Sequence, residues 1–421
     1  MSKVISFLMA MYVVALSISI AGMEIFAGFL LIYALTHYAY QCANRRKEAK
    51  KGEWSCPQLS IGIDGYVFGF WGILVLGAIF IPDLQMPDRI YIIGEGRWII
   101  LLYVLVYIFR SHQFDFKTSS LFVLGLYLLV SVLSASEFFT GLVPLKNSTV
   151  DLLDIGGHFS AYRVSGYFGN SMTYAHNIGL WFSLFLSFVL FSRKILKINK
   201  GLLYAVFVVT SMALFLTFTR GVWLSVGVAV SIMLLVVYRK RAFYFIGSGA
   251  FIVLVLALTL PMIKSRLTHI MDESNQGRIN LWKANVAMFL DHPFLGVGYR
   301  QNAKNTLKYY EKLNIDSDFA SHAHNNYLQV LAGTGMFGLI FYLIFNGVLI
   351  YWAYRVYREN KDTDPITAAI GLGLFMAYIH LHIGGLSEAN FQDGEISHSF
   401  VFLSALLIAS KDRPVLINKN S

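Results

Sequence analysis

The chain has 421 residues, of which 56% are hydrophobic and 14% are charged, and its formal net charge is +10. Soluble globular proteins carry about 25% charged residues, so this composition, with a mean hydropathy of +0.58, excludes a soluble enzyme. The lysines and arginines cluster in short loops between apolar runs. The positive charge therefore indicates membrane orientation, and no nucleic-acid partner is predicted.

Apolar runs recur from one end of the chain to the other and predict an all-α polytopic membrane protein. A bilayer is crossed by about 20 apolar residues, so residues 1–421 are expected to form a single integral membrane domain with about twelve transmembrane helices. The first run is too long for a signal peptide and lacks a small-residue cleavage site, so it is read as a retained span. The predicted spans are 4–22, 24–41, 64–82, 97–110, 119–135, 173–192, 201–219, 221–238, 243–262, 325–354, 364–384 and 396–411.

Every second loop between the predicted spans is basic, beginning with ANRRKEAKKGE after the second span and RSHQFDFK after the fourth. The intervening loop, PDLQMPDRIYIIGEG, carries three acidic residues against one basic residue. The positive-inside rule then places both termini in the cytoplasm. Cys42 and Cys56 flank the first basic loop at a spacing that matches no metal or redox motif, and a cytoplasmic location predicts reduced thiols.

Two of the outward-facing links are long, one at about 136–172 and the other at about 263–324. In a bacterium these links face the periplasm, where there is no nucleotide pool. Any chemistry on that side must therefore use a lipid-linked or otherwise exported substrate.

Several arginines lie on the outward side, where the orientation rule does not favour cations. Arg220 lies between the seventh and eighth spans, Arg163 precedes the sixth, Arg278 and Arg266 lie in the second long link, and Arg97 opens the fourth span. A single arginine near a helix end often snorkels to the interface. As a group these arginines fit a diphosphate at headgroup depth, because guanidinium forks match phosphate oxygens bidentately.

His322 and His324 lie where the second long link enters the tenth predicted span. A neutral imidazole takes a proton from a hydroxyl near neutral pH, so His324 is a candidate general base. The alternative is an interfacial histidine with a satisfied hydrogen bond. If a helix begins here, His322 points in another direction because it is two residues away, and Asn325 and Asn326 are the candidate caps of the helix.

The outward carboxylates fall in two loops. Asp316 and Asp318 form a DSD sequence, and many sugar transferases use such a pair to hold a metal on a diphosphate. The surrounding composition instead favours a solvated loop. Glu388, in the last outward link SEANFQDGEISH, is expected either to contact an acceptor sugar or to lie in a solvated turn. No metal site is predicted.

The pattern as a whole resembles the O-antigen ligase family of bacterial inner membranes, over about residues 60–410. The family motif is a histidine, then Asn, Ser or Gln, nine residues, and Gly-x-x-Gly, and here His324, Asn325 and GMFG at 335–338 fit it without a gap. Arg220 in TFTRG, Arg278 ahead of LW and HPFLGVGY, and Arg163 ahead of GYFGN resemble the family's outer-loop arginines.

The resemblance implies a glycosyltransferase architecture of the GT-C-like kind in the bacterial inner membrane, with its active site in the periplasm. It implies a donor glycan on undecaprenyl diphosphate, lipid A–core oligosaccharide as acceptor, an inverting reaction, and no metal or other cofactor. In that scheme Arg163, Arg220 and Arg278 hold the diphosphate, Arg266 assists them, and His324 deprotonates the acceptor hydroxyl. Arg220 also stabilises charge on the leaving group, and membrane lipid surrounds the site.

Three other functions remain open from the sequence. An O-antigen polymerase shares the donor chemistry but joins two lipid-linked repeats, and a related transferase moves the glycan to protein. A lipid-linked oligosaccharide flippase is the alternative from another class. A transporter is expected to show charged or broken helices near mid-membrane and internal repeats, whereas the charges here gather at the outer edge.

Overall fold

The computed structural model describes residues 2–48, 56–144, 146, 148–154, 160–259 and 273–412. Fifteen α-helices and one short β-hairpin are found in these ranges. The hairpin pairs β1 (Leu152–Asp154) antiparallel with β2 (Ser160–Tyr162), and Leu153 faces Ala161. The helices are α1 (Ser2–Ile18), α2 (Ile20–Glu48), α3 (Asp64–Phe80), α4 (Met86–Gly94), α5 (Arg97–Ser111), α6 (Phe116–Thr140), α7 (Ser171–Phe191), α8 (Lys200–Phe215), α9 (Arg220–Tyr238), α10 (Ala242–Thr259), α11 (Glu273–Asp291), α12 (Asn302–Lys312), α13 (Asn326–Asn360), α14 (Pro365–Gly384) and α15 (Gly394–Asp412).

Each of the twelve apolar stretches predicted to span the membrane overlaps at least one of these helices, the first stretch extends from α1 into α2, and residues 260–262 of the ninth lie outside the described residues. In the described part of the chain, seven helical segments are long and apolar enough to cross a membrane, by length and composition alone. The protein is therefore a multi-pass membrane protein built of helices. The count of twelve spans stays a prediction. The seven segments are Ile20–Lys47, Met86–Ser111, Phe116–Thr140, Ser171–Phe191, Arg220–Val255, Asn326–Asn360 and Pro365–Gly384.

Short polar side chains determine where several of these helices begin. Asp115 accepts a hydrogen bond from the Thr118 amide at 2.7 Å at the start of α6, and Asn170 caps α7 in the same way. Asp364 caps α14, whose first residue is Pro365. Such caps satisfy amides that have no partner within the helix.

Helices α7 and α14 form the centre of the bundle. In each of these helices, 78% of the residues in an apolar 18-residue stretch are buried inside the protein, compared with 22% in the corresponding stretch of α2. Helix α14 packs against α7, α9 and α13, and α15 packs against α5 and α7. The N-terminal ends of α7, α9, α13 and α15 and the C-terminal end of α14 are thereby brought together, and the polar residues discussed below lie at these ends.

The links contain structure that the hydropathy pattern does not predict. Helix α4 lies between α3 and α5, where the sequence predicted only a link, and it belongs to the apolar segment Met86–Ser111. The link at 136–172 contains the β-hairpin, and the link at 263–324 contains α11 and α12.

The expectation of reduced thiols at Cys42 and Cys56 is wrong. The two cysteines form a disulfide, with their Cα atoms 4.8 Å apart. Helix α2 continues to Glu48, and Cys56 lies beside the helix at Cys42. Spacing alone did not indicate this pairing, since 14 residues separate the two positions.

Candidate active site

Helix α13, which begins two residues after His324, is broken at a glycine and packs there against a glycine-containing turn. Helix α13 is interrupted at Gly335, which has φ 68°. A side chain at this position would place its Cβ 2.2 Å from the backbone of Phe294. The Val297 amide bonds the freed Ala332 carbonyl at 2.9 Å, and the Met336 amide bonds Pro293 O at 2.8 Å. The HPFLGVG and GMFG sequences are therefore two halves of one backbone junction.

His324 turns the chain into α13 with a left-handed backbone, φ 44°. Asn325 then caps the helix, because its side-chain oxygen accepts from the amides of Tyr327 at 2.9 Å and Leu328 at 3.0 Å. The Asn326 amide donates to Gly385 O at 2.7 Å. The predicted capping role of Asn325 is confirmed, and α13 is tied to the loop that follows α14.

Glu388, on that loop, brings the two histidines together. His322 Nε2 lies 2.8 Å from Glu388 Oε1, and His324 Nδ1 lies 3.0 Å from both carboxylate oxygens. The two imidazole rings are 4.1 Å apart. The expectation that His322 points elsewhere is wrong, because it assumed a helix at a segment where the chain is irregular and α13 begins only at Asn326.

The chemistry of a carboxylate determines which ring nitrogens carry protons. An ionised carboxylate only accepts hydrogen bonds, so His322 Nε2 and His324 Nδ1 both donate to Glu388. A neutral His324 then presents an unprotonated Nε2, and a neutral His322 an unprotonated Nδ1. Burial alone raises the pKa of Glu388, but the hydrogen bonds from His322 and His324 outweigh it and hold that pKa well below its usual range.

Arg278 approaches the same carboxylate from α11. Its NH2 lies 3.9 Å from Glu388 Oε2 and also 3.9 Å from Met172 Sδ, at the start of α7. At that distance the ion pair is loose, and the half-buried guanidinium keeps donors for another anion.

Arg163 and Arg220 lie on adjoining segments. Arg163 donates from Nε to Thr217 O at 3.1 Å and from NH2 to Thr219 Oγ1 at 3.4 Å, so it contacts the chain just before Arg220. Arg220 is the first residue of α9. A Cβ on the following Gly221 would lie 2.6 Å from Ser387 Oγ, which places the start of α9 against the loop that carries Glu388.

The other predicted residues lie elsewhere. Arg97 pairs with Glu24 at 3.5 Å and lies over the Trp98 ring. Asp316 and Asp318 are exposed in irregular chain after α12, which agrees with the predicted loop. Arg266 lies outside the described residues.

Sequence reasoning missed a further cation, Arg300, which follows the glycine turn. Arg300 donates from NH1 to Tyr91 OH at 2.5 Å and from NH2 to Gln392 O at 2.6 Å, and lies 3.8 Å from Glu95. Arg300 has φ 62°. The glycine-rich sequence GVGYR indicates a turn but not which loop the arginine contacts.

An apolar cavity of about 150 Å³ lies between α3, α5, α13 and α15. Val67, Leu74 and Phe400 form part of its apolar wall, and Asn326 and Gln392 line its polar end. The latter two residues belong to the segments that carry His324 and Glu388.

His322, His324 and Glu388 are also a possible ligand set for a metal ion. Their ligand atoms lie within 4.8 Å of one another. Two imidazoles and one carboxylate are a donor set that zinc and other transition metals accept. In the structure these same atoms hydrogen-bond one another, so a bound ion would replace the protons between them.

Comparison with known proteins adds two findings. Residues 205–343 match a protein family described as O-antigen ligase, and this range includes Arg220, Arg278 and both histidines but not Arg163 or Glu388. The chain is also 23% identical, over 363 residues, to the teichuronic acid biosynthesis protein TuaE of Bacillus subtilis (strain 168). That alignment covers 82% of this chain and 70% of the relative.

Proposed function

From the O-antigen ligase family domain that this membrane protein carries at 205–343, we propose that it transfers a glycan from undecaprenyl diphosphate to a hydroxyl of lipid A–core oligosaccharide. The donor is lipid-linked, so the reaction needs no nucleotide. The site lies on the periplasmic face of the bacterial inner membrane, and both termini are cytoplasmic. The basic loop alternation supports this orientation, whereas the Cys42–Cys56 disulfide flanks a loop that this orientation places in the reducing cytoplasm and counts against it.

His324 is the general base in this proposal. Glu388 accepts a hydrogen bond from the Nδ1–H of His324 and fixes the ring, so that the unprotonated Nε2 is available to the acceptor hydroxyl. A carboxylate that orients a histidine serves the same purpose in Ser-His-Asp enzymes, where it selects the tautomer and stabilises the imidazolium. This His324–Glu388 pair is the observation that carries the proposal.

Arg163, Arg220 and Arg278 bind the diphosphate of the donor. They approach from the loop before α7, from the start of α9 and from α11, around the segment that carries Glu388. As the glycosidic C–O bond breaks, negative charge grows on the leaving diphosphate, and fixed guanidinium groups stabilise that charge without a metal ion. Attack by the acceptor from the opposite face inverts the configuration of the anomeric carbon.

The apolar cavity supports a lipid-linked donor. Its lining is mainly apolar and comes from α3, α5, α13 and α15, and two of its polar lining residues, Asn326 and Gln392, belong to the segments that carry His324 and Glu388.

A transfer assay with purified components tests the proposal. Undecaprenyl-diphosphate-linked glycan and lipid A–core are incubated with the unaltered protein and with His324→Ala. We expect capped lipid A–core and free undecaprenyl diphosphate only with the unaltered protein. Absence of the capped product at full donor binding would refute the lipid A–core acceptor.

The similarity to TuaE, whose name refers to teichuronic acid biosynthesis, favours a second candidate, a polymerase that joins two lipid-linked units. The chemistry at His324 and the arginines is the same, and only the acceptor differs. The same assay separates the two candidates: a polymerase lengthens the donor glycan when lipid A–core is omitted, whereas a ligase does not.

A further inference from the structure

A chain of buried side-chain amides connects helix α11 to the backbone between the two histidines. Asn285 Nδ2 donates to Leu281 O at 2.8 Å, so its Oδ1 accepts from Asn302 Nδ2 at 2.5 Å. Asn302 Oδ1 accepts from Gln329 Nε2 at 2.8 Å. Gln329 Oε1 accepts from the Ala323 amide at 2.7 Å. We call Asn285, Asn302 and Gln329 the amide relay.

The direction of the relay is fixed from one end. The Leu281 carbonyl only accepts, so it determines which way the Asn285 amide faces, and each later amide must then match the one before. A reversed amide at any step would oppose two donors or two acceptors in a buried site, which is costly. All three side chains are at most 2% exposed. The relay therefore always presents an acceptor to the Ala323 N–H.

The carbonyl of Ala323 is held as well. Trp282 Nε1 donates to it at 2.9 Å, so both polar backbone groups of this residue are bonded. Trp282 follows Arg278 by four residues and precedes Asn285 by three on α11, a spacing that places all three on one helix face. The face of α11 that bonds the Ala323 backbone therefore also carries Arg278, a proposed ligand of the diphosphate.

We propose that Gln329 and Asn302 are positioning residues that fix His324 relative to Arg278, an inference that rests on the proposed function. Ala323 lies between His322 and His324, and His324 has the left-handed φ of 44° that side chains rarely adopt. Such a backbone persists only where its surroundings hold it. The relay supplies that hold and ties the base to the helix that carries the donor-binding arginine.

The first test compares Gln329→Leu with Asn177→Leu. Asn177 is an equally buried amide that donates to Glu395 O at 2.9 Å and Ser399 Oγ at 3.1 Å, outside the relay. A displacement of about 1 Å in a catalytic group costs about 10²-fold in rate, so we expect kcat of Gln329→Leu to fall by roughly that factor. Asn177→Leu should keep its kcat per folded molecule. Equal losses of kcat in both variants would overturn the proposal.

The second test uses pH. In Gln329→Glu, a protonated carboxyl still donates to Asn302 Oδ1 and still accepts from Ala323, so the relay is complete at low pH. An ionised carboxylate has no proton to donate, so it repels Asn302 Oδ1 and the relay is broken. We expect activity relative to the unaltered protein to fall as pH rises, and a ratio that is constant with pH would contradict the relay.

A third measurement does not depend on transfer. Diethyl pyrocarbonate modifies unprotonated imidazole, and mass spectrometry of the full chain reports the rate at each histidine. In Gln329→Leu, we expect the reagent to modify His322 and His324 several-fold faster. The modification rate at the exposed His292 should be unchanged and serves as the internal control. If the unaltered protein shows no transfer, the proposed function fails, and unchanged rates at His322 and His324 would then separately refute the relay.

Discussion

His324 and Glu388 are joined across 64 positions of sequence, with Nδ1 of the histidine 3.0 Å from both carboxylate oxygens. A general base requires one ring nitrogen to be occupied and the other available, and this contact provides that arrangement. It also forms between two loops, one before α13 and one after α14, so the packing of these helices determines whether the base exists.

Replacing Glu388 should impair catalysis more than binding. Glu388→Gln keeps an acceptor but removes the charge that stabilises an imidazolium, and the corresponding loss in a Ser-His-Asp enzyme is about 10⁴-fold. We expect kcat to fall between about 10-fold and that limit, with donor affinity retained, as measured by transfer kinetics and a donor-binding assay. Unchanged kcat would show that the carboxylate does not support the base.

The two histidines should differ in importance. His324→Ala is expected to lose about 10²–10⁴-fold in transfer, the usual contribution of a general base. His322→Ala should lose less, because Glu388 keeps its contact with His324. Donor binding should survive in both variants. If His322→Ala loses more transfer activity than His324→Ala, His322 is the general base and His324 is not.

Arg220→Ala should weaken donor binding as well as slow transfer. Arg220→Lys should recover only part of both, because an ammonium group cannot form a bidentate fork with phosphate. Arg355→Ala is a matched control, since that arginine pairs with Glu359 on α13, 2.6 Å away. Full activity of Arg220→Lys would indicate that a point charge suffices.

Chelation of divalent metal ions should leave transfer intact, whereas added zinc should inhibit it. Zinc can bind His322, His324 and Glu388 and would occupy the nitrogen atoms that orient the base. Inhibition should be relieved by chelator and should be weaker in His322→Ala. Loss of activity on chelation alone, restored by one specific metal, would contradict the metal-independent mechanism.

The contribution of Glu388 to stability should depend on pH. Its folded pKa is lowered, so the stabilisation is present above the unfolded value of about 4.3 and is lost as pH falls below it. The difference in Tm between the unaltered protein and Glu388→Gln should therefore be larger at pH 7 than at pH 4. A difference that grows on acidification would have the wrong sign.

The break in α13 should tolerate only glycine. Gly335→Ala combines φ 68° with a Cβ placed 2.2 Å from the Phe294 backbone, and backbone cannot yield as a flexible side chain does. We expect a loss of at least ~1 kcal/mol, with less folded protein recovered. Gly347→Ala is the control, since nothing lies within 4 Å of its added Cβ and helix propensity favours the change.

Periodicity and charge in the sequence determined which segments are helical and apolar, because a segment that crosses a membrane must satisfy its backbone hydrogen bonds within itself. The motif from His324 to Gly338 also identified the segment that carries the candidate base, and local chemistry reduced the helix cap to Asn325 or Asn326, of which the structure shows Asn325. These features depend on neighbours in the chain.

The partner of the base was decided only by tertiary structure. Glu388 lay in a link that the sequence could equally assign to a solvated turn, and helix packing brings it to His322 and His324. The same holds for Arg300, for the Cys42–Cys56 disulfide and for the amide relay from Asn285 to Ala323. Each joins residues from segments separated in sequence, and hydropathy reports only which residues are buried, not which segments meet.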